Sequence, residues 1–473
     1  MGQKRTAIMA QALEKCPSGI AGLDEITYGG LPRGRPTLVA GGAGCGKTLL
    51  AMEFLYRGIT QFNEPGAFFS FEEKIGDLVT NFASLNFDLS KLMDENRLAM
   101  DFVYIERSEI EETGIYDLEG LFIRLGHAID TVGAKRVVLD TVEALFTGLQ
   151  NEAILRSELR RMFRWLKDRG VTAVITGERG AQTLTRYGLE EYVADCVIVL
   201  DNRMRDQIAT RRLRVLKYRG SSHGANEFPF LISDRGIVVM PITSNLLQHQ
   251  VSTEHISSGV AGLDRMLSAK GFYRGSTILI SGTAGTAKTS FACFFAAAAC
   301  QRNEGCLYYA FEESPEQIFR NMRSVGLDLK PFLEQGLLRI VATRPTYHGL
   351  EMHLATIQHQ IQEFEPACVV IDPISNFASV GVLLDVTAMM ARLVDFLKSR
   401  QITALMTNLT TGKEQEQTEV GISSLVDTWI LLQSAPTAVE RVRTLTVLKS
   451  RGMNHSAQVK PFMITDQGIV IED

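Results

Sequence analysis

The sequence predicts two tandem α/β domains of the phosphate-loop type, each a mostly parallel sheet covered by helices. Three observations carry that fold class. The chain repeats its own motifs in one order at a shift of about 240 positions. Each copy holds a glycine-rich loop of the GxxxxGK[ST] type or a near variant of it. Short apolar segments alternate with helical stretches, the pattern of parallel strands buried on both faces.

The repeat begins with Ser18-Gly19-Ile20-Ala21-Gly22-Leu23-Asp24, which returns as Ser258-Gly259-Val260-Ala261-Gly262-Leu263-Asp264. Phe71-Glu72-Glu73 returns as Phe311-Glu312-Glu313, and Val138-Leu139-Asp140 as Val370-Ile371-Asp372. Leu216-Lys217-Tyr218-Arg219-Gly220 returns as Leu448-Lys449-Ser450-Arg451-Gly452. Duplication into domains 1–245 and 246–473 explains the preserved order. In the first copy the pattern predicts a strand over Thr37–Ala40, a glycine loop and a helix over Thr48–Ile59. A strand over Ala67–Phe71 runs into two glutamates. A helix over Gly120–Thr131 precedes a buried strand, Arg136–Asp140, that ends in a carboxylate. An amphipathic helix over Leu155–Arg169, a strand over Val171–Thr176 and a late hairpin of Val197–Leu200 with Arg212–Leu216 complete the domain.

Composition narrows the function classes. The 473 residues suit two or three cores, and 45% hydrophobic with 22% charged residues suits a soluble globular chain. Apolar runs such as Phe291–Cys300 fall far short of the ~20 residues that span a bilayer, and the N-terminus lacks a signal-peptide pattern. Seven cysteines without metal or redox spacing read as reduced thiols of a cytoplasmic protein. The net charge of −5 counts against nucleic acid as a partner. The patch Arg211-Arg212-Leu213-Arg214 reads as a strand or subunit edge.

The loop Gly41–Thr48 matches GxxxxGK[ST] in full. Small residues let the backbone N–H groups of Gly44, Cys45 and Gly46 wrap around phosphates, and the following helix N-terminus adds positive dipole. Lys47 neutralises the β- and γ-phosphates of ATP, and Thr48 binds Mg²⁺. The second loop contributes Gly285, Thr286, Ala287, Lys288 and Thr289. Ala287 stands where glycine is expected. Alanine fits there if its φ is negative, and its methyl crowds the phosphate. Asp140 and Asp372, each ending an apolar strand, orient the metal or its water. Glu72, Glu73, Glu312 and Glu313 are candidates to deprotonate an attacking water or hydroxyl, with one member of each pair, such as Glu312, serving the metal network.

Tandem phosphate loops, paired glutamates after the next strand and the Lys-x-Arg-Gly segments together resemble the KaiC family of RecA-like ATPases. The stretches Arg186–Asp195 and Leu216–His223 are the most distinctive, and the likeness spans nearly the whole chain. The resemblance implies two tandem RecA-like domains, a double-ring homohexamer and ATP sites between subunits. It implies that Lys217, Arg219 and His223 reach a neighbour's nucleotide, and that Ser233, Asp234, Arg443, Lys449 and Arg451 contact nucleotide. It further implies a slow ATPase in the first domain and autophosphorylation in the second. Ser423 and Ser424 fall on the two acceptor positions, with Thr418 at a nearby hydroxyl position. A KaiB-like partner of the first ring follows from the same likeness. Three departures stand out: the chain stops at Asp473 without the extension that engages KaiA, so control by KaiA is not expected; Val325 replaces an aromatic residue; and Ala287 alters the second loop.

The leading reading is an ATP-hydrolysing, autophosphorylating signalling or clock protein. A RecA- or helicase-like DNA-dependent ATPase shares the nucleotide core but needs basic loops facing a channel. A nucleotide-gated assembly scaffold would bind ATP mainly to join subunits.

Overall fold

The computed structural model describes residues 13–103, 118–146, 152–180, 194–205, 208–233, 235–241, 251–347, 349–410, 422–436 and 441–472. Asp234, Thr418 and most of the Arg186–Asp195 stretch lie outside the described residues. The chain divides into two compact units, Met1–Pro241 and Ile242–Asp473.

The first unit is built on strands β1 (Pro36–Gly41), β2 (Gly66–Ser70), β3 (Leu98–Phe102), β4 (Arg136–Asp140), β5 (Thr172–Glu178), β6 (Cys196–Arg205), β7 (Ile208–Tyr218), β8 (Glu227–Ser233) and β9 (Gly236–Val239). They form one nine-stranded sheet in the order β9-β8-β7-β6-β1-β5-β4-β2-β3. The six strands from β6 to β3 pair in parallel, and β7 to β9 close one side as an antiparallel meander. Every residue of β1, β2 and β4 is buried, as parallel strands under two helical layers require. Helix α1 (Lys47–Phe62) presses Leu50, Phe54 and Leu55 into the core and stops at Asn63, whose left-handed conformation lets the next N–H, that of Glu64, donate back to the Gly58 carbonyl at 3.0 Å. Helices α2 (Glu119–Val132) and α3 (Glu152–Asp168) follow in chain order, and Leu125 and Leu166 are fully buried in the core.

The late hairpin is longer than its apolar residues predict. Asp201, Asn202 and Arg203 extend β6 although they are polar, because Arg203 bonds Asp201 and forks onto Glu227 at 2.9 and 2.8 Å. Ion pairs there replace apolar burial as the reason to pair.

The second unit repeats the plan with β10 (Thr277–Gly282), β11 (Cys306–Ala310), β12 (Leu338–Ala342), β13 (Cys368–Asp372), β14 (Thr403–Leu409), β15 (Thr428–Pro436), β16 (Arg441–Ser450), β17 (Lys460–Thr465) and β18 (Gly468–Ile471). Its order, β12-β11-β13-β14-β10-β15-β16-β17-β18, is that of the first sheet. Helix α4 (Lys288–Gln301) is apolar nearly all round, from Phe291 to Cys300, and ten of its residues are buried. Among the described residues, no helix is long and apolar enough to cross a membrane.

Candidate nucleotide sites

Both candidate sites form where parallel strands end, the place at which open α/β sheets bind ligands. In the first unit Gly41 of β1 is level with Glu178 of β5, and Ser70 of β2 with Asp140 of β4. With β5 between β1 and β4, the loop leaves β1 one strand away from the carboxylate that ends β4.

Gly44 and Gly46 take left-handed backbone angles, φ +69° and +101°. Such residues turn successive N–H groups toward one concavity, which suits an anion. A Cβ placed on Gly42 or Gly44 would meet nothing within 4 Å, so this face of the loop is open. Gly41 is the opposite case, since a Cβ there would lie 2.4 Å from the Cys45 sulfur. Lys47, 8% exposed, donates to the Gly41 and Gly42 carbonyls at 3.0 and 2.9 Å. Its ammonium is held under the loop, in reach of an anion that the loop cradles.

Thr48 donates to Asp140 Oδ2 at 3.0 Å, and Thr176 of β5 donates to Oδ1. Burial lifts the Asp140 carboxyl above its ordinary value, against the opposing hydrogen bonds of Thr176 and Thr48; the Glu73 charge lifts it further and Lys47 opposes. A divalent cation would relieve that cost. A hydroxyl and a carboxylate, both oxygen donors, fit Mg²⁺, which takes few protein ligands and completes its shell with phosphates and water. Thr48 and Asp140 would hold it, directly or through water. Glu72 and Glu73 are exposed just beyond β2, and the Ser70 hydroxyl fixes their turn by bonding the Glu73 carbonyl and amide at 2.6 and 3.0 Å.

The second site keeps this frame with changed details. Lys288 donates to the Thr283 carbonyl at 2.8 Å, as does Thr286 at 2.8 Å. Burial lowers the Lys288 ammonium, while Asp372 and Glu312 raise it. Gly285 is open like Gly44. Ala287 does not meet the condition of a negative φ: it sits at φ +73°, ψ +23°, close to the angles of Gly46. The turn that feeds α4 imposes that conformation whatever the residue, at a cost of about 1–2 kcal/mol for a side chain with a Cβ.

Asp372 accepts from Thr407 of β14 on Oδ1 and from Tyr308 of β11 on Oδ2, the latter at 2.7 Å. Tyr308 and Thr407, like Thr176, carry no motif, and only the strand register brings them to the carboxylate. Glu313 is half-buried and bonded to Asn321 at 3.4 Å; burial and then the Asp372 charge raise its carboxyl. Glu312 is exposed beside it, and both line a cavity of about 290 Å³ together with Arg344.

The cations predicted near the end of each unit are placed differently. Arg443 of β16 donates to the Gly285 carbonyl at 3.3 Å, so it braces the loop of its own chain. Lys449 donates to the Ser423 and Val426 carbonyls at 2.9 and 2.8 Å, and Arg451 to the Ser424 carbonyl at 2.8 Å. Burial lowers the Lys449 ammonium, and the Arg451 charge adds to this. In the first unit Arg219 lies 3.8 Å from Asp195, Lys217 pairs opposite Val197 in the sheet, and the His223 ring packs on Tyr218 at 6.4 Å. Ser233 closes the β8–β9 turn by donating to the Gly236 carbonyl at 3.2 Å.

Residues 16–244 and 256–473 each match the family model described as "ATPase: KaiC". Over 461 residues the chain is 55% identical to "Circadian clock protein KaiC2" of Synechocystis sp., an alignment covering 97% of this chain and 81% of the relative. Over 468 residues it is 39% identical to "Circadian clock oscillator protein KaiC" of Synechococcus elongatus, covering 98% and 90%.

Proposed function

The chain belongs to the KaiC family of ATPases, and from that premise we propose a clock-type signalling protein that hydrolyses ATP in its first domain and phosphorylates itself in its second. The observation that carries this reading is that in each unit the loop lysine stands within electrostatic reach of the aspartate that ends a parallel strand, with the loop threonine bonded to that aspartate in the first unit. ATP lies with its phosphates over each loop, and Mg²⁺, when bound, offsets charge on the phosphates. Glu72 or Glu73 draws a proton from the attacking water in the first domain.

In the second domain a serine hydroxyl takes the place of water. The Ser423 or Ser424 oxygen bonds to the γ-phosphorus, the bond to the bridging oxygen of ADP breaks, and Glu312 or Glu313 takes the proton. The turn carrying these serines is held through its carbonyls by Lys449 and Arg451, which fixes the acceptors relative to two cations suited to a neighbour's phosphates. Lys217, Arg219 and His223 serve the first ring in the same way, and Ser233 and Asp234 are the further positions that contact its nucleotide. Sites shared between subunits require a homohexamer, and a KaiB-like protein is the partner that reads its state. Each phosphate adds about −1.5 to −2 charge at the turn, enough to change subunit packing.

Incubation of the intact protein with Mg-ATP tests the reading. Phosphopeptides at Ser423 or Ser424, phosphate release and a nucleotide-dependent mass of six chains are expected. Unmodified serines in ATP-hydrolysing hexamers would remove the kinase half. Stimulation of turnover by single-stranded DNA would favour a recombinase-like ATPase instead.

A further inference from the structure

The two strand-end aspartates share one partner and differ in the other. Oδ1 is held by a threonine from the next parallel strand in both units, Thr176 for Asp140 and Thr407 for Asp372. Oδ2 of Asp140 faces the phosphate loop, where Thr48 donates to it at 3.0 Å. Oδ2 of Asp372 instead accepts from Tyr308 at 2.7 Å, inside the sheet core. Among the described residues, no side-chain hydrogen bond joins Thr289 to Asp372.

The register explains why only one unit does this. Tyr308 sits opposite Val370, as Phe68 sits opposite Val138, so the two rings occupy equivalent places. Phe68 has no donor. Tyr308 is 1% exposed and its hydroxyl is held from the far side by Cys293 of α4, whose thiol donates to it across 3.8 Å. Met52 stands at the equivalent place of α1, five residues after the loop lysine. The phenol is thus locked between helix and carboxylate, and a hydrogen bond to an ionised acceptor is among the stronger kinds.

We propose that Tyr308 is a positioning residue of the second nucleotide site, holding the Asp372 carboxylate away from Thr289 and so weakening divalent-cation binding there relative to the first site. The proposal rests on the reading that both loops hold a metal–nucleotide complex. Asp372 must share or leave the phenol before it can orient a cation or its water, whereas Asp140 already faces the hydroxyl beside which the cation would bind. The second site would then fill with metal–nucleotide only at higher cation concentration, which makes its occupancy the more responsive of the two.

The test uses the full chain with Mn²⁺ as the probe and a non-hydrolysable ATP analogue, read by electron paramagnetic resonance. With Lys47→Ala silencing the first loop, Tyr308→Phe should tighten nucleotide-dependent Mn²⁺ binding roughly threefold to tenfold, on the low side of outer-shell effects on metal affinity. With Lys288→Ala silencing the second, the reciprocal Phe68→Tyr should weaken Mn²⁺ binding at the first by a similar factor. Phe68→Tyr alone decides the matter if Tyr308→Phe does not fold. Unchanged or weaker binding in Tyr308→Phe, or unchanged binding in Phe68→Tyr, overturns the proposal. Absence of any nucleotide-dependent Mn²⁺ signal in the Lys47→Ala parent overturns the reading of the second loop as a metal–nucleotide site, and this proposal with it.

Discussion

The first and second units place their phosphate loops in sheets of one strand order, yet they brace the end of the sheet opposite those loops with different chemistry. In the first, Arg136 begins β4 fully buried, with Nε on Glu64 at 2.7 Å, Nη1 on the Phe54 carbonyl and Nη2 on the Pro17 carbonyl. In the second, Cys368 begins the equivalent strand and lies opposite Cys306, both fully buried. Glu304, the counterpart of Glu64, is answered from outside the sheet by Arg274 at 2.6 Å and Arg302 at 2.9 Å. One unit threads a cation through its core, and the other fills the place with thiols and moves the charge to the rim. Duplication preserved the position of the loop, and the supports beneath it diverged.

That comparison breaks most visibly at Arg136. Arg136→Ala leaves Glu64 half-buried with Arg33 alone and strands two carbonyls, so it should cost about 3–5 kcal/mol, the scale for removing one partner of a buried pair. Arg302→Ala removes a partner with 27% of its side chain exposed, and Glu304 keeps Arg274; it should cost about 0–1 kcal/mol. Chemical denaturation of the intact chain measures both. Equal losses would mean that the buried arginine contributes no more than its rim counterpart.

A smaller effect separates the two glutamate pairs. Glu72→Gln with Glu73→Gln keeps size and hydrogen bonding and should lower first-domain phosphate release about 10²-fold or more, the scale of general-base loss. The same pair of changes at Glu312 and Glu313 should leave that release intact and suppress serine phosphorylation. Nucleotide binding should survive in both. Phosphate release and phosphopeptide yield, measured side by side, sharpen the division of labour; a first-domain rate untouched by the first double variant would dissolve it.

The sequence and the structure agree where an element carries its own signal. The strand Arg136–Asp140 is read to the residue because five buried positions end in a single carboxylate. Helix α1 is longer than predicted because its left-handed ends, at Gly46 and Asn63, lie beyond the apolar stretch. What escaped were partners supplied by register. Thr176, Thr407 and Tyr308 lie far from the aspartates in sequence and are ordinary strand residues until the sheet is assembled. Lys449 was found as part of a repeated motif, but its grip on the Ser423 and Val426 carbonyls follows only from the fold.

The smallest predicted effect lies at the residue before each loop lysine. Gly46 and Ala287 adopt nearly the same left-handed turn, φ +101° and +73°. A Cβ on Gly46 would come within 3.2 Å of Ile232, so Gly46→Ala adds both a tight contact and the left-handed penalty. Ala287 already bears that penalty, about 1–2 kcal/mol. Ala287→Gly relieves it but also frees the unfolded chain, which takes back about 0.4–1 kcal/mol. The net gain should therefore be small, about 0.5–1 kcal/mol, while Gly46→Ala should lose at least about 1 kcal/mol. Thermal unfolding of the two single variants, without nucleotide, reads both signs. Destabilisation by Ala287→Gly would show that the alanine methyl packs well enough to outweigh its backbone, since Phe291 and the rest of the α4 core lie one turn beyond it. Stabilisation would mark the second loop as the one that tolerates strain where the first uses glycine.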